Sequence, residues 1–160
     1  MTGITPFLWF DSQAEEAANF YVAIFEDSEI TSVSRYGEAG KEIHGRPPGS
    51  AMVVAFRLRG QPYMALNGGP LFAFSEAISF MVHCKTQAEV DHFWSRLGEG
   101  GTPGQCGWLK DRYGLSWQIV PDALGNLLQD KNRAAAGRAM NAMLAMGKID
   151  IAALQRAFDG

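Results

Sequence analysis

Three histidines, two cysteines and several glycine clusters are the first places to look for chemistry in this sequence. A metal ion needs His, Cys, Asp or Glu donors that converge on one point. His44 falls in a loop, His83 on a strand and His92 on a helix, and no two have the His-x-x-x-His spacing of a helical metal site. Cys84 follows His83, and neighbours on a strand point to opposite faces. No metal ion and no cofactor is therefore expected. A general base is a smaller demand, because one imidazole titrating near neutral pH can serve. His83 is the candidate catalytic residue on that ground. Cys106, in Gln105-Cys106-Gly107-Trp108, has no base beside it in sequence and reads first as a small buried hydrophobe. Gly98, Gly100, Gly101 and Gly104 follow a helical pattern and precede a strand, the reverse of a phosphate-binding loop, so they are turn glycines. Lys110-Asp111-Arg112 is turn chemistry first and a candidate for orienting a ligand second.

Strand phase groups the remaining candidates. Along 78–84, Ile78, Phe80, Val82 and Cys84 share one face and Ser79, Met81 and His83 the other. Along 115–120, Leu115, Trp117 and Ile119 oppose Ser116, Gln118 and Val120, and along 61–67, Met64 and Leu66 oppose Tyr63, Ala65 and Asn67. A face that mixes Tyr, Asn, Ser, His and Gln with apolar groups suits a ligand cavity. It also suits a partly solvated sheet face, and the pattern alone leaves both open. Tyr63, Asn67, Ser79, Met81, Trp108 and Gln118 are the candidate ligand-binding residues.

The elements that must position them come in two copies. Ser12-Gln13-Ala14-Glu15 recurs as Thr86-Gln87-Ala88-Glu89, an offset of 86 − 12 = 74, and each copy follows a strand-like run, 4–10 or 78–84. Each is a capping box that predicts a helix start. Ala14, Ala17, Ala18, Tyr21, Ile24 and Phe25 make one helical stripe, and Val90, Phe93, Trp94 and Leu97 the other, which meets Gly98. Period two then predicts strands over 29–36, 51–58 and 61–67, with Arg59-Gly60 as a tight turn and 37–49 as a loop. In the second half it predicts a glycine-rich turn over 98–104, strands over 105–110 and 115–120, and a turn over 111–114. The class is α+β: two βαβββ modules, 1–69 and 70–121, of mainly antiparallel strands. A helical tail over 122–160 follows, with Gly147 as a stop and Asp150 as a cap, the whole forming one compact domain.

With 160 residues, the chain can bury roughly 70% of its unfolded surface. Its net charge of −3 offers no basic footprint for nucleic acid or an anionic membrane. No apolar run approaches the roughly 20 residues of a membrane span, and the start lacks the basic and apolar regions of a signal peptide. Two cysteines in such a chain fit thiols in a reducing compartment, so the expected location is cytoplasmic.

Asn67-Gly68-Gly69-Pro70, and above all the run from Gln105 through Gly107-Trp108-Leu109-Lys110-Asp111-Arg112-Tyr113-Gly114 into Ser116-Trp117-Gln118-Ile119-Val120-Pro121, resemble the PhnB-like proteins. These are also labelled 3-demethylubiquinone-9 3-methyltransferase domains, within the vicinal oxygen chelate superfamily of glyoxalases, bleomycin-resistance proteins and dioxygenases. The resemblance covers nearly the whole chain and implies curled sheets around a cavity, in a homodimer. It also implies four metal-ligand positions in metal-dependent members, falling here at about Pro6, Tyr63, Ser79 and Gln118, none a strong ligand for a divalent ion. A methyltransferase's glycine-rich turn is missing after the first strand, where 4–10 runs into Asp11-Ser12. The expected function is metal-free binding of an unidentified small molecule. The alternative is an enzyme, lyase, isomerase or transferase in type, acting on a small oxygenated substrate with His83 as base and Gln118 or Tyr63 orienting it.

Overall fold

The computed structural model describes residues 3–160; Met1 and Thr2, which open the first predicted module, lie outside them. The chain divides into two compact units, Met1–Ala73 and Phe74–Gly160.

The first unit runs β1 (Phe7–Phe10), α1 (Ala14–Val22), β2 (Glu29–Arg35), α2 (Lys41–His44), β3 (Ala51–Leu58) and β4 (Gln61–Asn67). Its sheet has the order β1-β4-β3-β2, with β1 parallel to β4 and the other pairs antiparallel. β1 starts later than its apolar run predicts and leaves Ile4 exposed. Leu58 pairs with Gln61 across Arg59 and Gly60, whose φ values of 48° and 79° are those of the two-residue hairpin turn expected there. α1 buries Ala14, Ala17, Ala18 and Tyr21 against Val54, Phe56 and Ala65, so small helical residues bring the helix close to the sheet. Ile24 and Phe25 are buried as the stripe predicts, although the helix itself stops at Val22. Within the predicted loop, α2 is a single turn between Gly40 and Gly45, both at positive φ.

The second unit runs β5 (Ser79–Cys84), α3 (Gln87–Gly98), β6 (Thr102–Pro103), β7 (Trp108–Lys110), β8 (Ser116–Pro121), α4 (Asp122–Leu128), α5 (Arg133–Leu144) and α6 (Ile151–Asp159). Its sheet repeats the order of the first: β5-β8-β7-β6, with β5 parallel to β8. The α+β class and the duplicated βαβββ topology are thus as predicted. α3 buries Val90, Phe93 and Leu97 over Val82, Leu109, Trp117 and Ile119. Thr102–Pro103, inside the stretch read as a glycine-rich turn, forms a strand and brings the number after the helix to three. β7 is correspondingly shorter than 105–110, because Cys106 and Gly107 take φ of 57° and 84° and leave the strand conformation. Their amides donate instead to the Met146 and Gly147 carbonyls, which ties the tail to this loop.

The two predicted capping boxes differ in outcome. Thr86 Oγ1 accepts from Glu89 N (3.2 Å), and Glu89 Oε2 accepts from Lys85 N (2.6 Å), so the second forms. Ser12 does not cap α1: the cap position is Gln13, without a side-chain bond, and the Ala14 amide donates to Asn67 Oδ1 at 2.8 Å. A strand residue distant in sequence thus does the work expected of a local hydroxyl. In the tail, Asp150 Oδ1 caps α6 through Ala153 N (2.9 Å), and Leu124, Leu127, Ala139, Ile149 and Leu154 form its buried cluster.

Candidate functional site

The second sheet has one face under α3 and one turned away from it. Register sets the second face out in rows. Met81, Gln118 and Trp108 lie side by side across β5, β8 and β7, and Ser79, Ser116, Lys110 and Thr102 make the adjacent row across all four strands. Successive rows on a face are about 6.7 Å apart, two residues of strand rise, within reach of one small molecule. His83 continues the face beside Val120. Five of the residues expected to bind or react (Ser79, Met81, His83, Trp108 and Gln118) are therefore brought onto one surface.

Its polar groups are largely engaged with one another. Gln118 Nε2 donates to Ser79 Oγ at 2.8 Å. His83 Nδ1 lies 3.8 Å from Asp122 Oδ1, the first residue of α4, and both side chains are mostly exposed. Lys110 Nζ is paired with Glu76, a residue of the segment before β5. The hydrogen bond from Lys110, more than its charge at a distance, holds the Glu76 carboxyl below the usual carboxylate range. One group stands apart: Ser116 is 1% exposed, and its hydroxyl has no hydrogen-bond partner within the protein. It lines a pocket of about 290 Å³ together with Glu76, Thr102, Trp108 and Lys110. Burying an unpaired hydroxyl costs about 1–3 kcal/mol, so a native structure that keeps one invites a partner from outside.

Tyr63 and Asn67 do not belong to a comparable surface in their own unit. Both lie on the α1 face of the first sheet, with Ala65 between them fully buried. Tyr63 stacks on Phe56 (5.5 Å between centroids, 17° between planes), and Phe56 stacks on Tyr21 of α1. Burial pushes the Tyr63 phenol above its ordinary pKa. Asn67, 6% exposed, has its amide bound at both ends, accepting from Ala14 N and donating to the Ala51 carbonyl at 3.1 Å. Strand phase was right in separating Met64 and Leu66 from Tyr63 and Asn67. The side that α1 covers, however, is the polar one, because the Asn amide caps the helix and the Tyr ring packs beneath it. Ser116 and Glu76 were absent from the expected set, and Lys110 entered it only as a secondary candidate for orienting a ligand. Alternation along 115–120 already placed Ser116 beside Gln118; nothing in the sequence pointed to Glu76, which approaches from an irregular segment.

The four positions that the resemblance implied for metal ligands, Pro6, Tyr63, Ser79 and Gln118, do not suit a metal here. Pro6 has no donor, Tyr63 turns toward α1, and Ser79 and Gln118 offer a hydroxyl and an amide already bonded to each other. Divalent catalytic sites use imidazole and carboxylate. Among the described residues, no three His, Cys, Asp or Glu side chains gather so as to hold an ion.

Two other hollows carry less chemistry. One of about 340 Å³ lies between α3 and the β6–β7 edge, where its charged residue, Glu99, is paired with Arg112. The other, of about 290 Å³ in the first unit, contains Arg46 and Glu15, paired with Asp11 and Arg35.

Comparison with known proteins agrees with this architecture. The family model described as 3-demethylubiquinone-9 3-methyltransferase matches residues 2–120. The PhnB protein of Bacillus cereus is 36% identical, with a TM-score of 0.67 over 75% of this chain and 99% of that one. Protein PA1353 of Pseudomonas aeruginosa (18% identity, TM-score 0.61, 76% and 98% covered) shares the fold. So does the fosfomycin resistance protein FosX of Listeria monocytogenes (13% identity, TM-score 0.50, 76% and 93% covered). No curated protein matches the sequence. By its family match and its 36% identical relative, this chain belongs to the PhnB-like, 3-demethylubiquinone-9 3-methyltransferase family.

Proposed function

We propose that this protein binds a small organic molecule, without a metal ion, on the face of the second sheet turned away from α3. The observation that carries the reading is the buried Ser116 hydroxyl, which lacks a partner in a pocket flanked by Trp108 and Lys110. Trp108 supplies a flat apolar surface, and Ser116, Lys110 and Gln118 supply the few polar contacts that orient a ligand in such sites. Ser79 and Met81 extend the surface on the β5 side. Tyr63 and Asn67 drop out of the ligand set, since one packs under α1 and the other caps it. A homodimer in the cytoplasm, with neither nucleic acid nor membrane as partner, completes the proposal. Among the described residues, no helix is long and apolar enough to cross a membrane.

The test is a thermal-shift screen of small metabolites, with each hit mapped by amide chemical shifts. A ligand at 100 times its dissociation constant should stabilise by about 2.7 kcal/mol, with shifts concentrated in β5, β7 and β8. Hits that map elsewhere, or a stoichiometric divalent ion in protein purified without chelator, would overturn it.

A second reading, an enzyme with His83 as general base, is favoured by one observation: the Asp122 carboxylate lies 3.8 Å from His83 Nδ1. Replacing His83 by Gln should then cost at least about tenfold in turnover of any substrate found. An unchanged rate removes His83 from the mechanism.

A further inference from the structure

Across the pocket, exposure falls steeply from rim to floor. The side chains of Glu76 and Lys110 are 60% and 42% exposed, and Ser116 is 1% exposed. A cation paired with a surface carboxylate thus lines the same pocket as a buried hydroxyl that has no partner. We infer that the ligand of this face is a small organic carboxylate, whose charged oxygens replace Glu76 on Lys110 and accept a hydrogen bond from the Ser116 hydroxyl; this rests on the ligand-site reading above.

Three features argue for that class. The group already seated on Lys110 is a carboxylate, so the position fits one in size and charge. An ammonium has three donors and no acceptor, so it selects an acceptor-only anion over a neutral amide. Exchange is also cheap, because an exposed Lys–Glu pair contributes little and Glu76, once released, is solvated at the rim. The gain lies at the floor, where Ser116 pairs for the first time. Register places Trp108 in the row next to Lys110 and Ser116, where the carbon skeleton of the acid can lie. A neutral ligand would leave the Lys110–Glu76 pair in place and gain only the hydroxyl contact. Glu76 accordingly acts as an internal competitor that keeps the site closed to weak anions.

Matched probes test this. Benzoate, phenylacetate and hexanoate, each beside its primary amide, are titrated by calorimetry into wild type, Glu76→Gln and Lys110→Met. Acids should bind in preference to amides, about fivefold more tightly to Glu76→Gln, since the competing pair is gone. They should bind at least about tenfold more weakly to Lys110→Met, which lacks the charged donor. The Glu76→Gln comparison alone decides the matter if Lys110→Met does not fold. Amides binding as well as acids, or acids indifferent to Glu76→Gln, would refute the anion while leaving the ligand face intact. Binding of neither kind to any folded variant would count against both.

Discussion

Position for position, Pro62, Met64 and Leu66 of β4 stand where Ser116, Gln118 and Val120 stand in β8, as the pairing of Phe10 with Asn67 and of Cys84 with Pro121 shows. The strand order is the same; the surface is not. Away from α1, β1 and β4 present Phe7, Trp9, Pro62, Met64 and Leu66, whereas away from α3 the matching β5 and β8 present Ser79, Met81, His83, Ser116, Gln118 and Val120. On the helix-covered faces the two agree better, with Tyr63 answering Trp117 and Ala65 answering Ile119. The comparison teaches that the duplicated core has kept its packing logic, since both copies must bury a helix, and that the opposite faces have been free to diverge. On β4 the polar side chains Tyr63 and Asn67 face the helix, whereas on β8 Ser116 and Gln118 face away from it.

The sharpest way to break this comparison is to remove each unit's buried polar anchor. In the second unit it is Asp111, 3% exposed, whose carboxylate accepts from Tyr113 N, Leu115 N and Trp117 Nε1 at 2.8, 3.0 and 2.9 Å. Asp111→Ala strands three donors and should destabilise by about 3 kcal/mol or more in urea unfolding. Asn67→Ala, which frees the first amide of α1 and the Ala51 carbonyl, should cost about 2 kcal/mol, with loss of exchange protection concentrated in the first unit. A smaller contrast separates the capping boxes. Thr86→Ala should cost about 1 kcal/mol, and Ser12→Ala less than about 0.5 kcal/mol. Equal losses at the two would mean that Ser12 caps after all and that the units are closer copies than they look.

Much of this was legible in the sequence, for identifiable reasons. The repeated Ser/Thr-Gln-Ala-Glu segment, the period-two runs and Arg59-Gly60 encode local geometry, and local geometry set the topology. The tail's Asp150 read correctly on the same basis, whereas α5 ends at Leu144, before the Gly147 expected to stop it. What stayed hidden was long-range. No local rule gives Asn67 to the start of α1, which lies 53 residues away. Nor does any bring Glu76 onto Lys110, or show that Ser116, a polar residue on an alternating strand, would be buried without a partner. Ser79, Met81, His83, Trp108 and Gln118 share one face because strand alternation is strict. That Tyr63 and Asn67 face α1 was not legible, because alternation names two faces and does not say which one a helix will cover.

Urea unfolding of ligand-free wild type beside Ser116→Ala tests the central claim most directly. The variant sheds an unpaired buried hydroxyl, so it should be as stable as wild type or more stable by up to about 1 kcal/mol. A loss of more than about 1 kcal/mol would show that the hydroxyl already has a partner inside the protein, and the case for a ligand at this face would fail.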